Sequence, residues 1–265
     1  MFPAERQPMM HPFPFLLLVF MVSCSAKQDA HPKAHEPQRH AASAPLGAAY
    51  PALAAADFDK VLTLLEESFT SGYPAPSELL ADPAFRPLRD DPQWRPQLRD
   101  LLSRFARESS IRMVDSTEQG PPLALTIRIL DEQTGAPLSD VHVKIVQVDH
   151  LGLYAPNDLD QALVSWNPRL FGFCTTNAGG FVHVRTIRPA HYHPHYDAIE
   201  PAHLHFTVNK EGYREWGGEI FFDDDPRVDG AVRRESRHVG TPILQTVLDE
   251  QGVLQGSVSL HLQRP

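Results

Sequence analysis

The chain has 265 residues, a formal net charge of −9 and 42% hydrophobic residues. This length suffices for one substantial domain with additional segments, and the composition is that of a globular protein. Nucleic acids need a basic protein surface that neutralises their phosphates, and the predicted domains contain no block of Lys or Arg, so nucleic-acid binding is excluded.

The first predicted element is an export signal at residues 1–23. Its apolar run, 13–22, is shorter than the roughly 20 residues that span a bilayer, and small residues follow it. This arrangement is typical of a signal peptide. Because Cys24 stands at the expected cleavage point, the segment resembles a bacterial lipoprotein signal, with Cys24 lipidated and the protein anchored in the cell envelope. A secreted or periplasmic protein, or an uncleaved anchor, is the alternative.

Residues 25–56 are rich in Ala, His and Pro and show no apolar periodicity, which predicts a flexible linker. Asp57 then has the character of a helix N-cap, and apolar residues follow at helical spacing until Gly72. A second apolar stripe runs from Trp94 to Phe105. Residues 57–112 are therefore predicted to form a small helical collar on the next domain. A segment that binds a peptide or a protein partner is the alternative.

From Pro121 the apolar period changes to two, which predicts strands. Alternation covers residues 123–129 and 141–145, and further strands are predicted at Gly180–Ile187, His203–Val208, Glu219–Phe222, Pro242–Leu248 and Ser257–Leu262. Many short strands without intervening helices favour a sandwich. The predicted fold is an all-β sandwich over residues 121–265 with a small N-terminal α-helical segment, and Cys174 is predicted to be a core residue.

Two histidines on one predicted strand are candidate metal ligands. Residues i and i+2 of a strand project from the same face, so His203 and His205 are expected to reach one point, while Leu204 and Phe206 face the core. A lone His-x-His pair is weak evidence, because the chain has 14 histidines.

The sequence around these histidines resembles a known family, the intradiol ring-cleavage dioxygenases, which include the catechol and protocatechuate dioxygenases. The motifs are Pro201-Ala202-His203-Leu204-His205-Phe206, the segment Thr186-Ile187-Arg188-Pro189-Ala190-His191-Tyr192, and Gly152-Leu153-Tyr154. The resemblance covers residues 121–265. It implies a mononuclear ferric site held by Tyr154, Tyr192, His203 and His205, and it favours Tyr192 over Tyr196 as the second tyrosine.

The resemblance also implies a reaction: an aromatic diol is cleaved by O2 between its two hydroxylated carbons. Tyr192 would be the catalytic ligand that the bound diol displaces. The donor set agrees with this metal, because phenolate is a hard anionic oxygen donor that suits Fe(III), and a trivalent ion would deprotonate a tyrosine at neutral pH. A binding module with altered chemistry and a purely structural sandwich are the alternatives.

Two acidic residues depart from the family pattern. Glu200 replaces an Arg commonly found three residues before the first histidine, and Glu219 stands where Gln is frequent. Three accounts stay open. Arg169, Arg185 or Arg188 supplies the missing positive charge, with Arg185 and Arg188 as pocket residues beside Glu200 and Glu219; the substrate carries a cationic or bulky group; or the domain binds without turnover. The run 223–225 of three Asp residues is predicted to be a charged turn.

Overall fold

The computed structural model describes residues 36–156, 167–196 and 200–265. The predicted signal peptide and Cys24 lie outside the described residues. None of the described helices is both long and apolar enough to cross a bilayer.

The described chain begins with helix α1 (Glu36–Ala54), so the prediction of a flexible linker is wrong over these residues. Alanine has the highest helix propensity, and Ala49 and Ala52 are buried against the neighbouring helices. The helix contains two prolines, Pro45 and Pro51, which remove backbone donors and made a helix unexpected from the sequence. Small buried residues produce no apolar stripe in the sequence. The formation of this helix therefore depends on its packing against the rest of the fold.

The two predicted helices are confirmed. Helix α2 (Phe58–Thr70) begins after Asp57, whose carboxylate accepts the Lys60 backbone N–H at 3.2 Å. Short 3₁₀ turns at Pro76–Ala81 and Pro83–Phe85 follow. The chain then forms helix α3 (Arg86–Asp90) and helix α4 (Arg95–Phe105).

The strands form two five-stranded sheets, which confirms the predicted sandwich. They are β1 (Ser110–Arg112), β2 (Pro122–Asp131), β3 (His142–Gln147), β4 (Leu170–Thr175), β5 (Phe181–Ile187), β6 (His203–Asn209), β7 (Trp216–Phe222), β8 (Ile243–Leu244), β9 (Thr246–Leu248) and β10 (Leu254–Leu262). The first sheet has the order β1-β5-β2-β10-β9 and the second the order β4-β3-β6-β7-β8. The inward residues of both sheets form one core, which includes Cys174 as predicted.

Four parts of the sandwich differ from prediction, and the first is strand β4 (Leu170–Thr175), which was not predicted. The predicted strand 242–248 divides into β8, which pairs with β7, and β9, which pairs with β10, so the chain crosses between the sheets. Strand β1 lies inside the predicted collar. Helix α5 (Gly230–Val239) was not predicted. Its one buried residue is Ser236, so the sequence shows no apolar stripe between the capping residues Asp229 and Gly240.

A second apolar cluster joins the helices to the outer face of the second sheet. Val146 of β3 and Phe171 of β4 contribute to it, together with buried residues of α1, α2 and α4. Tyr154 belongs to the same cluster, and Tyr192 packs against it. The helical segment therefore covers the sheet beside these two tyrosines.

Candidate metal centre

Four side-chain donor atoms converge on one point at the outer face of the second sheet. Tyr154 Oη lies 2.7 Å from Tyr192 Oη and 2.8 Å from His205 Nε2. Tyr192 Oη lies 3.0 Å from His203 Nε2 and 3.2 Å from His205 Nε2. The two imidazole Nε2 atoms are 2.9 Å apart. The structure thus brings together the four residues predicted as metal ligands.

The strand geometry explains how the histidines reach this point. His203 and His205 project from one face of β6, while Leu204 and Phe206 are buried in the core on the other face. This part of the sequence prediction is confirmed. Tyr154 follows the end of β3, and Tyr192 follows the end of β5, so each comes from a loop rather than from a strand.

The donor set fits a single metal ion. Two ligands that bind one ion at about 2.0–2.1 Å and about 90° apart lie about 2.9 Å from each other, which is close to the separations of these four atoms. His203 Nδ1 lies 2.8 Å from the carbonyl oxygen of Pro201. This bond places the ring proton on Nδ1 and turns the Nε2 lone pair toward the other donors, as in most histidine metal sites.

Burial sets the protonation of the metal-free site. Desolvation raises the pKa of Tyr154 above its ordinary value and raises that of Tyr192 to about 12, and the negative charges of Glu219 and Glu200 add to both shifts. Burial, together with the charge of His203, lowers the pKa of His205 to about 3. At neutral pH His205 is therefore neutral and offers a lone pair, whereas both phenols carry a proton that metal binding must release.

Glu219 stands directly beside the two histidines. It is the cross-strand partner of His205 in the pairing of β6 with β7. Its carboxylate oxygen lies 3.8 Å from His205 Nδ1 and 3.9 Å from His203 Nε2, and its side chain is 30% exposed. Burial raises the pKa of Glu219, the charge of His203 lowers it and that of Glu200 raises it, with a net increase. Glu200 is itself exposed.

The contacts of the described residues do not support the account in which Arg169, Arg185 or Arg188 supplies positive charge beside the ligands. Arg169 forms a bidentate pair with Glu118, at 2.6 and 2.7 Å. Arg188 lies 2.7 Å from Asp224 and stacks over the Phe222 ring. Arg185 is exposed on β5 in the first sheet, along a groove that Tyr50, Tyr73 and Ser110 also line. Glu118 and Asp224, which are distant in the sequence, neutralise the charges of Arg169 and Arg188. A local sequence pattern cannot show such pairings.

Tyr196 has a supporting position. Its Oη accepts the backbone N–H of Tyr154 at 2.9 Å, and its ring packs edge-on against Tyr192. The geometry therefore agrees with the expectation that Tyr192, not Tyr196, contributes a donor atom. Tyr196 holds the loop that carries Tyr154.

Gly152 allows the two tyrosine loops to approach each other. Its backbone has φ +81°, and its carbonyl oxygen accepts the His193 N–H at 3.0 Å. A Cβ atom at this position would overlap the carbonyl oxygen of His191 and lie 2.6 Å from the His193 nitrogen. The absence of a side chain at Gly152 is thus a condition for bringing Tyr154 and Tyr192 together.

We expect Gly152→Ala to lower the free energy of unfolding by about 2–5 kcal/mol, the sum of left-handed backbone strain and overpacking. Iron content per chain should fall as well, because Tyr192 is displaced. The matched control is Gly252→Ala, where φ is +77° and no atom lies within 4 Å of the added Cβ. The control should lose only about 1–2 kcal/mol and should bind added iron as the wild type does. Equal losses in both variants would contradict this role of Gly152.

Asp225 is a supporting residue that the sequence prediction missed. The side chain is 1% exposed, and Oδ2 lies 2.6 Å from His191 Nε2. The same oxygen accepts the Ala202 N–H at 2.9 Å, and Oδ1 accepts the Arg227 N–H at 2.8 Å. His191 precedes Tyr192 and Ala202 precedes His203, so Asp225 links the segments that carry these two ligands. The prediction of a charged turn is wrong for Asp225, because the carboxylate is buried.

We expect Asp225→Asn to reduce iron affinity by about 10–100-fold, the range typical of residues that orient metal ligands. An amide has only one acceptor oxygen, so it cannot accept both the pair of bonds at Oδ2, from His191 and Ala202, and the bond at Oδ1 from the Arg227 N–H. Equilibrium dialysis against a ferric chelator measures the effect. Asp224→Asn is the control, because Asp224 is 62% exposed and pairs only with Arg188 among its described contacts. An unchanged iron affinity in Asp225→Asn would contradict the assignment.

Comparisons with known proteins agree with the site. Residues 102–247, more than half of the chain, match the family model described as "Dioxygenase". Catechol 1,2-dioxygenase 2 of Acinetobacter lwoffii is 28% identical over 132 residues, which are 43% of this chain and 45% of the relative. Hydroxyquinol 1,2-dioxygenase of Rhizobium sp. (strain MTP-10005) is 28% identical over 127 residues, 42% of this chain and 40% of the relative. The matches thus span less than half the length of either relative.

Among solved structures, 3-chlorocatechol 1,2-dioxygenase of Rhodococcus opacus 1CP aligns with 25% identity and a TM-score of 0.48, over 60% of this chain and 68% of that one. The extent of the family match decides the assignment. The chain belongs to the intradiol ring-cleavage dioxygenase family.

Proposed function

We propose that this protein is an Fe(III)-dependent intradiol dioxygenase that cleaves a catechol-type diol between its two hydroxylated carbons. The observation that carries the proposal is the convergence of two tyrosine oxygens and two histidine nitrogens, 2.7–3.2 Å apart, on one point. Both oxygen atoms of O2 would enter the product, which is a dicarboxylic acid.

Tyr154, Tyr192, His203 and His205 would hold the iron. Ferric iron supplies a Lewis acid that binds a catecholate and makes its ring reactive toward O2. Tyr154 is 1% exposed, whereas Tyr192 is half-buried on a loop, so Tyr192 is the ligand that we expect a catechol to displace. Tyr192 Oη would then take the proton from one catechol hydroxyl group.

A ferric-loaded preparation tests the proposal. It should show a broad visible band from tyrosinate-to-iron charge transfer, and catechols should consume one O2 per ring and yield the dicarboxylic acid. A band that shifts with catechol but is followed by no O2 uptake would favour the alternative, a module that binds metal or catechol. An iron-loaded protein without the band would refute the assignment of Tyr154 and Tyr192 as iron ligands, and with it the proposed function.

We further propose that Cys24 is lipidated and anchors the protein in the cell envelope. The apolar run at 13–22 and the position of Cys24 support this proposal. Cys24→Ser should move the protein from the membrane fraction to the soluble fraction. A variant that stays in the membrane fraction would favour an uncleaved anchor, and a wild-type protein already found in the soluble fraction would favour a secreted or periplasmic protein.

A further inference from the structure

Two carboxylates border the candidate iron site. Glu219 lies within 4 Å of both histidines, and its side chain stays 30% exposed, so a ligand entering the site can reach it. Glu200 is exposed, and it directly precedes Pro201, whose carbonyl oxygen lies 2.8 Å from His203 Nδ1. Both groups add negative charge to a site whose proposed substrate is itself anionic once it is deprotonated.

The cations near the site in the described part of the chain are bonded to other groups. Arg169 is paired with Glu118 and Arg188 with Asp224. The guanidinium of Arg227 donates to the backbone carbonyl oxygen of Glu200 at 2.9 Å. The Glu200 carboxylate takes no part in this hydrogen bond. The sequences of 157–166 and 197–199 contain neither Lys nor Arg.

This charge distribution disfavours simple catechols. A ferric ion with one phenolate and a doubly deprotonated catechol carries no net charge. Glu219 and Glu200 together carry two negative charges, and the Arg227 guanidinium on the Glu200 backbone offsets one of them, so an excess of negative charge stays around the ring. A carboxylate in a partly desolvated site attracts a cation strongly and repels a second anion. A positively charged group on the substrate would restore the balance and form a charge-assisted hydrogen bond.

We propose that the substrate is a catechol whose ring substituent carries a protonated amine, and that Glu219 and Glu200 bind this ammonium group. The inference rests on the proposed function, since it names the substrate class of the same site. It assigns Glu219 and Glu200 to substrate specificity rather than to the iron.

The test compares three catechols of similar size under anaerobic conditions, where binding is measured without turnover. The probes are 4-(2-aminoethyl)catechol, 4-ethylcatechol and 3-(3,4-dihydroxyphenyl)propionate. Each is titrated into the ferric protein, and the change in the visible band gives its Kd. We expect the amine to bind about tenfold more tightly than the ethyl compound, a ratio that corresponds to about 1.4 kcal/mol, and the carboxylate to bind most weakly.

The variants Glu219→Gln and Glu200→Gln, singly and combined, show which carboxylate is responsible for the tighter binding of the amine. The double variant should bind the amine and the ethyl compound with equal affinity, while Glu250→Gln, an exposed residue in the β9–β10 turn, should keep the wild-type ratio. The ratio within one variant cancels differences in iron content. It should also decrease with added NaCl, because salt screens exposed charges.

The outcomes separate the two proposals. Equal affinities of the wild type for the three probes, or an unchanged preference in the double variant, would overturn the inference and leave the proposed function intact. A resting band that shifts in Glu219→Gln while the preference persists would also overturn it and assign Glu219 to the iron. If no catechol changes the wild-type band, the proposed function itself fails.

Discussion

Tyr154→Phe and Tyr192→Phe are each expected to remove the part of the visible charge-transfer band that the lost phenolate contributes to the ferric protein, and to lower O2 consumption by about 100-fold or more. Each change removes one of the two phenolic oxygens. This loss should exceed the roughly 10–100-fold cost of changing a residue that only orients a ligand. Visible absorption at matched iron content, together with an oxygen electrode, measures both effects.

The two variants should differ in stability. Tyr154 is 1% exposed, and its Oη contacts both Tyr192 and His205. Removal of this hydroxyl group takes one hydrogen-bond partner from Tyr192 and one from His205, and each lost bond costs about 0.5–1.5 kcal/mol. Tyr192 is half-buried, so its change should cost less.

Tyr196→Phe is the control, since Tyr196 belongs to the same ring cluster but contacts the backbone of Tyr154 through its hydroxyl. It should keep the band. A band that survives in Tyr192→Phe and disappears in Tyr196→Phe would reverse the assignment of the second phenolate.

Glu118→Gln is expected to lower the free energy of unfolding by about 1–3 kcal/mol, because Arg169 loses its bidentate partner and keeps only Asp149 and Asp90, at 3.6 and 3.7 Å. The Glu118 side chain is 2% exposed and that of Arg169 is 7% exposed. Arg86 and Arg89 of helix α3 lie 3.4 and 3.8 Å from the same carboxylate. The substitution therefore weakens the connection between the helical segment and the sandwich. Chemical denaturation measures the loss.

The pH dependence of stability gives an independent check. Burial favours a higher pKa for Glu118, but the bond to Arg169 and the charges of the three arginines outweigh it, so the pKa is lowered in the folded state. The ionised carboxylate thus contributes stability above its unfolded pKa of about 4.3, and this contribution is lost as the pH falls through the folded pKa. Glu118→Gln should show a shallower acid decline than the wild type.

An exposed ion pair with the same short distance provides the control. Glu66 lies 2.7 Å from Arg104, and both side chains are about half exposed, at 51% and 46%. Surface pairs contribute about 0–1 kcal/mol, so Glu66→Gln should be nearly neutral. A loss below about 1 kcal/mol in Glu118→Gln as well would show that the buried network does not hold the helical segment in place.

Asp225 and α1 show where local patterns carry too little information. Residues 223–225 are all Asp, yet only Asp225 is buried and accepts hydrogen bonds from His191 and Ala202. Helix α1 presents small side chains and two prolines, and its burial depends on helices that come later in the chain. In both cases contacts between distant segments determine the role of the residue.

Local periodicity and short motifs were sufficient to predict several features of the fold and of the site. Alternation placed His203 and His205 on one face of β6 with Leu204 and Phe206 in the core, because side chains on a strand alternate between its faces. Helical spacing and the Asp57 cap predicted α2. The motifs named the tyrosines, which the folded chain brings within 3 Å of one another although they are 38 residues apart.

The charge around these ligands depends on contacts between residues that are distant in the sequence, which are made only in the folded chain. The sequence showed Glu200, Glu219 and three arginines, and it left open which of them surround the ring of a bound diol. Cross-strand pairing places Glu219 against His205, whereas Glu118 and Asp224 pair with Arg169 and Arg188. Ion pairs depend on distances in space, which no local sequence pattern encodes. Two glutamates therefore border the site, although the sequence alone was equally compatible with an arginine there.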